Sequence, residues 1–378
     1  MRHQQITSAL PSYQHVLKQR LVEDLGELAR SFSKGGAARK VKGNRQQGEV
    51  LVRKLLPEGT NVEDVHLTAW QVAESVFALS VLGAHEYFEW EMELLLQVAA
   101  REIEQFSPDR TARVLSCAAK ALHHSLALEE LATSKHLLDS LPAMQPERVG
   151  VLLWALAILN LKPQFLLDRL QATMAATVGS ASRPLLLRFC WALAVLEQTG
   201  SEAFQIPWRA LSQKLPGEIS LSSTEATMYC QVVEELQIKG QRCRISAEHT
   251  ALHELRSEYL QRDKRTVSSL HKDVMTALDL SSTEYEVEAI VGIYSVDIAL
   301  PDYKVAIEVD GPMHFTRTQP RHPLGPTLMK QRHLEGAGWV VVSVSSDDWD
   351  AQESRQQKMY LLRDLFYNIE KQQLEAGA

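Results

Sequence analysis

The heptapeptide LWALAIL occupies residues 153–159, and variants of it recur along the middle of the chain. The variants are VFALSVL at 76–82, SCAAKAL at 116–122 and CWALAVL at 190–196, with a fainter copy near Tyr229–Leu236. Steps of 40, 37 and 37 residues separate their aligned positions, which are Phe77, Cys117, Trp154 and Trp191. A period of this length is typical of one helical hairpin per unit, stacked into a solenoid.

The composition of each copy supports this interpretation. Alanines keep the helix thin enough for its neighbour to approach closely, while Leu and Val at helical spacing fill the seam between units. Prolines lie between the copies, where they suit the first turn of a helix; they occur at Ser107-Pro108, Pro142 to Pro146, Lys162-Pro163 and Arg183-Pro184. We therefore predict helical-hairpin repeats over residues 61–246.

The first sixty residues are basic, with eleven Lys and Arg against five acids. Ile6–Leu28 is predicted to form an amphipathic helix, and Ser31–Gly48 has the composition of a Gly/Ser/Lys/Arg linker. We interpret residues 1–60 as a basic arm and linker. This segment would serve as an organelle-targeting sequence, as a flexible arm that contacts RNA phosphates, or as a solvated linker.

The whole chain is acidic and of ordinary globular composition. It has 378 residues, a formal charge of -7 and 45% hydrophobic residues. This balance excludes an indiscriminate nucleic-acid binder, so any RNA contact must rest on local patches.

Four separated cysteines without a CxxC favour buried side chains over a zinc site. The longest apolar run, Val149–Leu161, is too short to span a bilayer, and no membrane partner is expected.

A different pattern follows a charged helical connector, which we place at residues 247–284. Strands are predicted first, then a helix beginning near Thr327, a strand at Trp339–Val344 and a final helix capped by Ser346 or Asp347 and running to about Lys371. The first strands are Val287–Val291, Tyr294–Leu300 and Val305–Asp310. Residues 285–372 are therefore predicted to form a small α/β module.

Three carboxylates are predicted to crowd one patch of this module. A turn at Pro301–Lys304 would set Asp297 opposite Glu308, and strand alternation puts Asp310 on the same face as Glu308. Such crowding costs energy unless it is compensated. Either Mg²⁺ binds there, through Asp297 and Glu308, or backbone N–H groups and His314, Arg317 or Arg332 satisfy the acids.

The segment His314–His333 carries four cations and three histidines but no acid. Cations can neutralise phosphates while an aromatic face stacks an unpaired base. The predicted RNA-binding residues are His314, Phe315, Arg317, Arg321, Lys330, Arg332 and His333.

Two family resemblances follow from these residues. The sequence IEVDGPMHF at 307–315, followed by TLMKQRHL at 327–334, Gly338-Trp339 and Asp348-Trp349, resembles the RAP domain. The repeats, best at residues 153–163, resemble octotricopeptide repeats. These resemblances imply an organellar RNA-binding protein, since both modules are regarded as RNA-binding units of mitochondria and chloroplasts.

The α/β module is also similar to the restriction-endonuclease-like fold. That resemblance implies that Asp297 and Glu308 hold Mg²⁺. The family has a Lys two positions after the Glu, where this chain has Asp310, so a Lys from the next helix, Lys330, would have to substitute. A Mg²⁺-dependent endoribonuclease using Asp297, Glu308, Asp310 and Lys330 is the alternative function.

The leading prediction is a non-catalytic RNA-binding protein of a mitochondrion, with a plastid as the alternative compartment. It would bind ribosomal RNA as part of a mitochondrial ribosome, or act in rRNA or transcript maturation beside other ribonucleoprotein subunits. No cofactor is expected unless the endoribonuclease interpretation holds. A protein–protein scaffold without RNA contact is the third possibility.

Overall fold

The computed structural model describes residues 2–33, 38–83, 88–214, 221–241, 256, 268–279 and 284–364. The chain divides into two compact units. The first contains Met1–Ala210 and Thr316–Arg321, and the second contains Leu211–Phe315 and His322–Ala378. Each unit has its own secondary structure and core.

The first unit is helical. Its helices are α1 Arg2–Ser33, α2 Ala38–Leu55, α3 Ala69–Leu82, α4 Glu89–Arg101, α5 Pro108–Lys120, α6 Leu126–Thr133, α7 Lys135–Ser140, α8 Pro146–Ile158, α9 Gln164–Thr177, α10 Arg183–Val195 and α11 Glu202–Lys214, within which the boundary between the units falls.

The predicted repeat is confirmed by the stacking of four of these helices. The heptapeptides lie in or at the ends of α3, α5, α8 and α10, and each of these helices packs on the next one. Close approach explains the small residues. On α8, a Cβ added to Gly150 would lie 2.6 Å from Leu185 Cδ1 and 3.3 Å from Phe189 Cε1, both on α10. The alanines Ala78, Ala118, Ala155 and Ala192 are all buried.

Local capping fixes where the repeat helices begin. Thr68 and Gln71 form a reciprocal capping box at α3, and the Ser107 hydroxyl accepts a hydrogen bond from the Arg110 N–H at α5. Prolines occupy the first turns of α5, α8 and α10, where no intrahelical N–H is needed. These starts agree with the prolines seen between the copies in the sequence.

The predicted linker at Ser31–Gly48 is wrong over its described part, because α2 begins at Ala38 and runs through it. The glycine that suggested flexibility serves packing instead: a Cβ on Gly48 would meet Leu82 Cδ1 of α3 at 2.9 Å. Val52 and Leu55 of α2 are buried.

Among the described helices, none combines the length and apolar character that crossing a membrane requires.

The second unit holds one more repeat-like helix and a four-stranded sheet. Its elements are α12 Ser223–Ile238, α13 Ser269–Asp279, β1 Glu286–Val291, β2 Tyr294–Leu300, β3 Val305–Asp310, α14 Gly325–Gly336, β4 Val340–Ser345, α15 Ser346–Asp350 and a helix over 355–364, here α16. The strand order is β1-β2-β3-β4; the first two pairings are antiparallel, and β3 and β4 run parallel.

The core of the second unit lies between this sheet and helix α13. Val274 and Leu278 of α13 pack with alternate residues of β2, β3 and β4, including Ile298, Ile307 and Val344. Trp349 of α15 closes the core, is 1% exposed and donates its ring N–H to Asp273 at 3.3 Å. The fold class predicted from the sequence, helical repeats followed by a small α/β module, is therefore confirmed.

The final helix differs from the prediction. The predicted single helix is interrupted, because α15 ends at Asp350 and α16 starts at residue 355. Ser345, one residue before the predicted cap, accepts the Asp348 N–H, and Ser354 accepts the Gln357 N–H as a second cap. From its sequence, the final helix is expected to bury Tyr360, Leu361, Leu362, Leu365 and Phe366. Leu362 is buried, Leu361 is partly buried and Tyr360 is 44% exposed, while Leu365 and Phe366 lie outside the described residues.

Candidate nucleic-acid interface

The β2–β3 hairpin has the predicted register. Ile298 pairs with Ile307 and Leu300 with Val305, so the same register sets Asp297 opposite Glu308. Pro301–Tyr303 forms a 3-10 turn, and Lys304 closes it in the left-handed region with φ 49°. The hairpin therefore brings the acids of β2 and β3 together as the sequence suggested.

Each of these acids has a protein donor. The Val309 N–H donates to Asp297 Oδ2 at 2.8 Å, and Lys330 Nζ lies 2.5 Å from Glu308 Oε2. Asp310 accepts a hydrogen bond from the Ser343 hydroxyl and lies 3.1 Å from His314 Nδ1. A backbone N–H and His314 thus contact the acids as one of the two alternatives expected, Lys330 and Ser343 are partners that the sequence did not reveal, and Arg332 pairs with Glu235 instead.

These acids do not fit a shared Mg²⁺ site as they stand. Lys330 is bonded to Glu308 Oε2, and Asp310 to Ser343 and His314, so a cation at these acids would compete with the Lys330 charge; Glu308 Oε1 makes no hydrogen bond with a described residue. Within the described ranges, the close groups of three metal-ligating side chains include neither Glu308 nor Asp310. No catalytic step through Mg²⁺ is derived from this patch.

Burial dominates the electrostatics of Glu308. The pKa of this carboxyl is raised from 4.5 to about 7, with burial as the largest cause. The nearby Lys330 charge and its hydrogen bond lower the pKa, while Asp297 and Asp310 raise it. A carboxyl that is 7% exposed and faces two other acids favours its neutral form, and the single Lys330 partner does not reverse this.

The predicted RNA-binding residues fall in both units. The loop after β3 begins and ends in the second unit, where the Leu324 N–H donates to His314 O at 2.9 Å and Phe315 bridges to Pro323. His314 keeps 44% of its side chain exposed, and Phe315 is half-buried. These two side chains therefore remain accessible on the second unit.

The middle of the loop, Thr316–Arg321, belongs to the first unit. The Arg317 N–H donates to Leu122 O at 2.7 Å, at the end of α5. The Thr318 hydroxyl donates to His124 O at 2.6 Å and accepts the His124 N–H at 3.0 Å. These hydrogen bonds hold the backbone at Arg317 and the side chain of Thr318. Arg317 and Arg321 are half-buried, so part of each residue reaches the surface.

The cations of α14 are placed differently, since they pair with buried acids. Lys330 contacts Glu308, as described above, and Arg332 Nη2 lies 3.2 Å from Glu235 Oε2. His333 is 2% exposed; its Nε2 lies 2.9 Å from Glu235, and its Nδ1 lies 2.8 Å from the Tyr294 hydroxyl. The ring of His333 is therefore enclosed by protein atoms and offers almost no accessible surface.

Glu235 is a residue of this site that the sequence did not reveal. It lies on α12 in the faintest copy of the repeat and is fully buried. The sequence feature that could have pointed to Glu235 is its position on an apolar helix face, beside Val232, Val233 and Leu236. A buried acid needs partners, and here Arg332 and His333 supply them and join α12 to α14.

Comparison with known proteins agrees with this geometry. The family model described as RAP domain matches residues 307–365, from β3 through α16. The chain contains a RAP domain. RAP domains are associated with RNA binding in organelles.

One curated relative extends the similarity to the helical region. It is the RAP domain-containing protein, chloroplastic, of Oryza sativa subsp. japonica, 28% identical over 342 residues. The alignment covers 79% of this chain and 52% of the relative, so the chain spans about half the length of that protein. The likeness therefore includes helices that precede the RAP domain.

Proposed function

We propose that this protein binds RNA inside an organelle through its RAP domain and acts in rRNA or transcript maturation. The match of the RAP domain to residues 307–365 is the observation that carries the proposal. The sequence favoured a mitochondrion with a plastid as the alternative. The name of the rice relative supports the plastid, and we take that compartment for the proposal.

The proposed RNA contacts are the residues that keep exposed surface. On the second unit, His314 and Phe315 offer an imidazole and an aromatic ring, which suit unstacked bases. On the first unit, Arg317 and Arg321 offer guanidinium groups, which suit phosphates. Lys330 and Arg332 are half-buried too, but each holds a buried acid, so substituting them would disturb the fold as well as any RNA contact. Because the whole chain carries a net negative charge, it does not attract RNA electrostatically, and binding must depend on these local cations.

Substitution of the two loop arginines tests the proposal. We expect Arg317→Ala/Arg321→Ala to weaken binding of the full chain to single-stranded rRNA oligonucleotides by roughly 10- to 100-fold. The slope of log affinity against log salt should fall by about 1.5, because two phosphate contacts are lost. Fluorescence anisotropy at several salt concentrations measures both quantities.

The matched control is Arg169→Ala/Arg209→Ala, which removes two exposed arginines of the first unit that pair with Asp139 and Glu202. It should leave RNA affinity and the salt slope unchanged. If both double variants lose the same RNA affinity, Arg317 and Arg321 do not form a specific RNA contact. Absence of RNA binding by the wild-type chain would leave the protein-scaffold interpretation.

Crosslinking in cells, followed by sequencing of the attached RNA, identifies the target. Recovery of organellar rRNA and sedimentation with ribosomes would support a role among ribosomal subunits, whereas scattered transcript sites would support transcript maturation. Mg²⁺-dependent cleavage of the bound RNA that is lost in Glu308→Gln would instead assign the endoribonuclease alternative.

A further inference from the structure

Three side chains with metal-ligating atoms meet in the second unit. His271 comes from α13, Glu288 from β1 and Asp297 from β2. One ring nitrogen and one oxygen of each carboxylate all lie within 4.8 Å of one another. We propose that this group binds a divalent transition-metal ion, a property that is independent of RNA binding.

The strand register explains why the two acids meet. Val287 pairs with Ile298 and Ala289 with Val296, so the register places Glu288 opposite Asp297, at a position where the ladder pairing is interrupted. Two like charges in that position repel each other unless a cation lies between them. Glu288 also has φ 52°, an unfavourable conformation for a residue with a side chain. The ladder is therefore distorted at the point where the acids face each other.

Both carboxylates are oriented by neighbouring donors. The Ser295 hydroxyl donates to Glu288 Oε2 at 3.0 Å, and the Val309 N–H donates to Asp297 Oδ2 at 2.8 Å. Metal ligands in proteins are commonly held in this way by groups outside the coordination sphere. The two acids are thus fixed at positions where one ion can reach both.

His271 provides independent evidence that the group binds a ligand. His271 is 4% exposed, and its Nε2 makes no hydrogen bond with any described residue. A buried polar atom without a partner is costly, and native proteins rarely retain one. An ion bound through Nε2 and the two carboxylates would supply the missing partner and offset the repulsion between the acids.

The ligand types select the ion. One imidazole nitrogen with two carboxylate oxygens suits Zn²⁺ or Mn²⁺, whereas Mg²⁺ prefers oxygen ligands alone. The site shares Asp297 with the acidic patch of β3, but Glu308 is taken by Lys330. Since the ligands belong to α13, β1 and β2, the bound ion would fasten the helix to the edge of the sheet.

The test uses the full chain, stripped with a chelator and titrated with Mn²⁺ or Zn²⁺ by calorimetry. We expect one ion per chain at this site and Mg²⁺ binding at least tenfold weaker. His271→Ala should weaken Mn²⁺ binding tenfold or more. Glu288→Gln should weaken it as well; since Gln can still accept from Ser295, this variant guards against a result caused by misfolding.

The control is His66→Ala, which removes an exposed histidine of the first unit and should change nothing. Pulsed electron paramagnetic resonance supplies a second readout. Bound Mn²⁺ should show coupling to an imidazole ¹⁴N that disappears in His271→Ala. Absence of Mn²⁺ and Zn²⁺ binding, or binding that survives both substitutions unchanged, would overturn the proposal. Because RNA is absent from these assays, neither outcome bears on the proposed function.

Discussion

At the scale of single residues, Glu308 is the most informative side chain. Its folded pKa is about 7, and its ordinary value is 4.5. Between these values the native state holds more protons than the unfolded state, so this group's stabilising contribution is lost as pH rises through about 7. Glu308→Gln removes that dependence. Relative to wild type, we expect the variant to gain on the order of 3 kcal/mol in free energy of unfolding between pH 4.5 and pH 8.

Urea denaturation in chelator at pH 4.5, 6 and 8 measures this difference. Glu353→Gln makes the same chemical change at an exposed position of the same unit and serves as the control. The difference in free energy of unfolding between Glu308→Gln and wild type should therefore change with pH. If it is the same at all three pH values, burial does not raise the pKa of this carboxyl.

At the scale of elements, the contact of α12 with α14 depends on a glycine. A Cβ added to Gly336 would lie 2.6 Å from Ile238 Cγ2 and 3.2 Å from Ile238 Cβ. Ile is stiff near its backbone and cannot easily turn away. We expect Gly336→Ala to lower the free energy of unfolding by about 1 kcal/mol, because overpacking outweighs the gain in helix propensity.

A double-mutant cycle with Ile238→Ala isolates this contact. Gly336→Ala should be neutral or stabilising once Ile238 is shortened, and chemical denaturation of the four proteins gives the coupling. If the cost of Gly336→Ala is the same with and without Ile238, the helix contact is not its cause.

At the scale of the whole molecule, the assignment of Thr316–Arg321 to the first unit has a measurable consequence. The Arg317 N–H bonds to Leu122 O in that unit, whereas the Leu324 N–H bonds to His314 O in the second. Leu156→Ala removes a fully buried side chain of α8 and should destabilise the first unit by roughly 2–5 kcal/mol. We expect hydrogen exchange to accelerate at Arg317 but not at Leu324.

The reciprocal variant is Ile307→Ala, in the core of the second unit. It should accelerate exchange at Leu324 and leave Arg317 protected. Hydrogen-exchange mass spectrometry with overlapping peptides across residues 311–328 reads both amides. Exchange that rises equally at the two positions in both variants would contradict the division of the loop.

The sequence by itself determined the features that are repeated or local. The heptapeptides predict the stacked helices because their period recurs every 37 to 40 residues. The four-residue turn at Pro301–Lys304 determined the register of the hairpin, since side chains alternate along each strand and one fixed pair fixes the others. The RAP domain was evident from separated motifs in the correct order.

Only the tertiary structure decided which distant side chains meet. Lys330 reaches Glu308, and Glu235 holds Arg332 and His333 almost a hundred residues away. Gly48 looked like linker composition until Leu82 packed against it. Nothing in local periodicity specifies such partners, because burial and charge pairing depend on how elements pack in space. For the same reason, the meeting of His271, Glu288 and Asp297 could not be predicted from their positions in the chain.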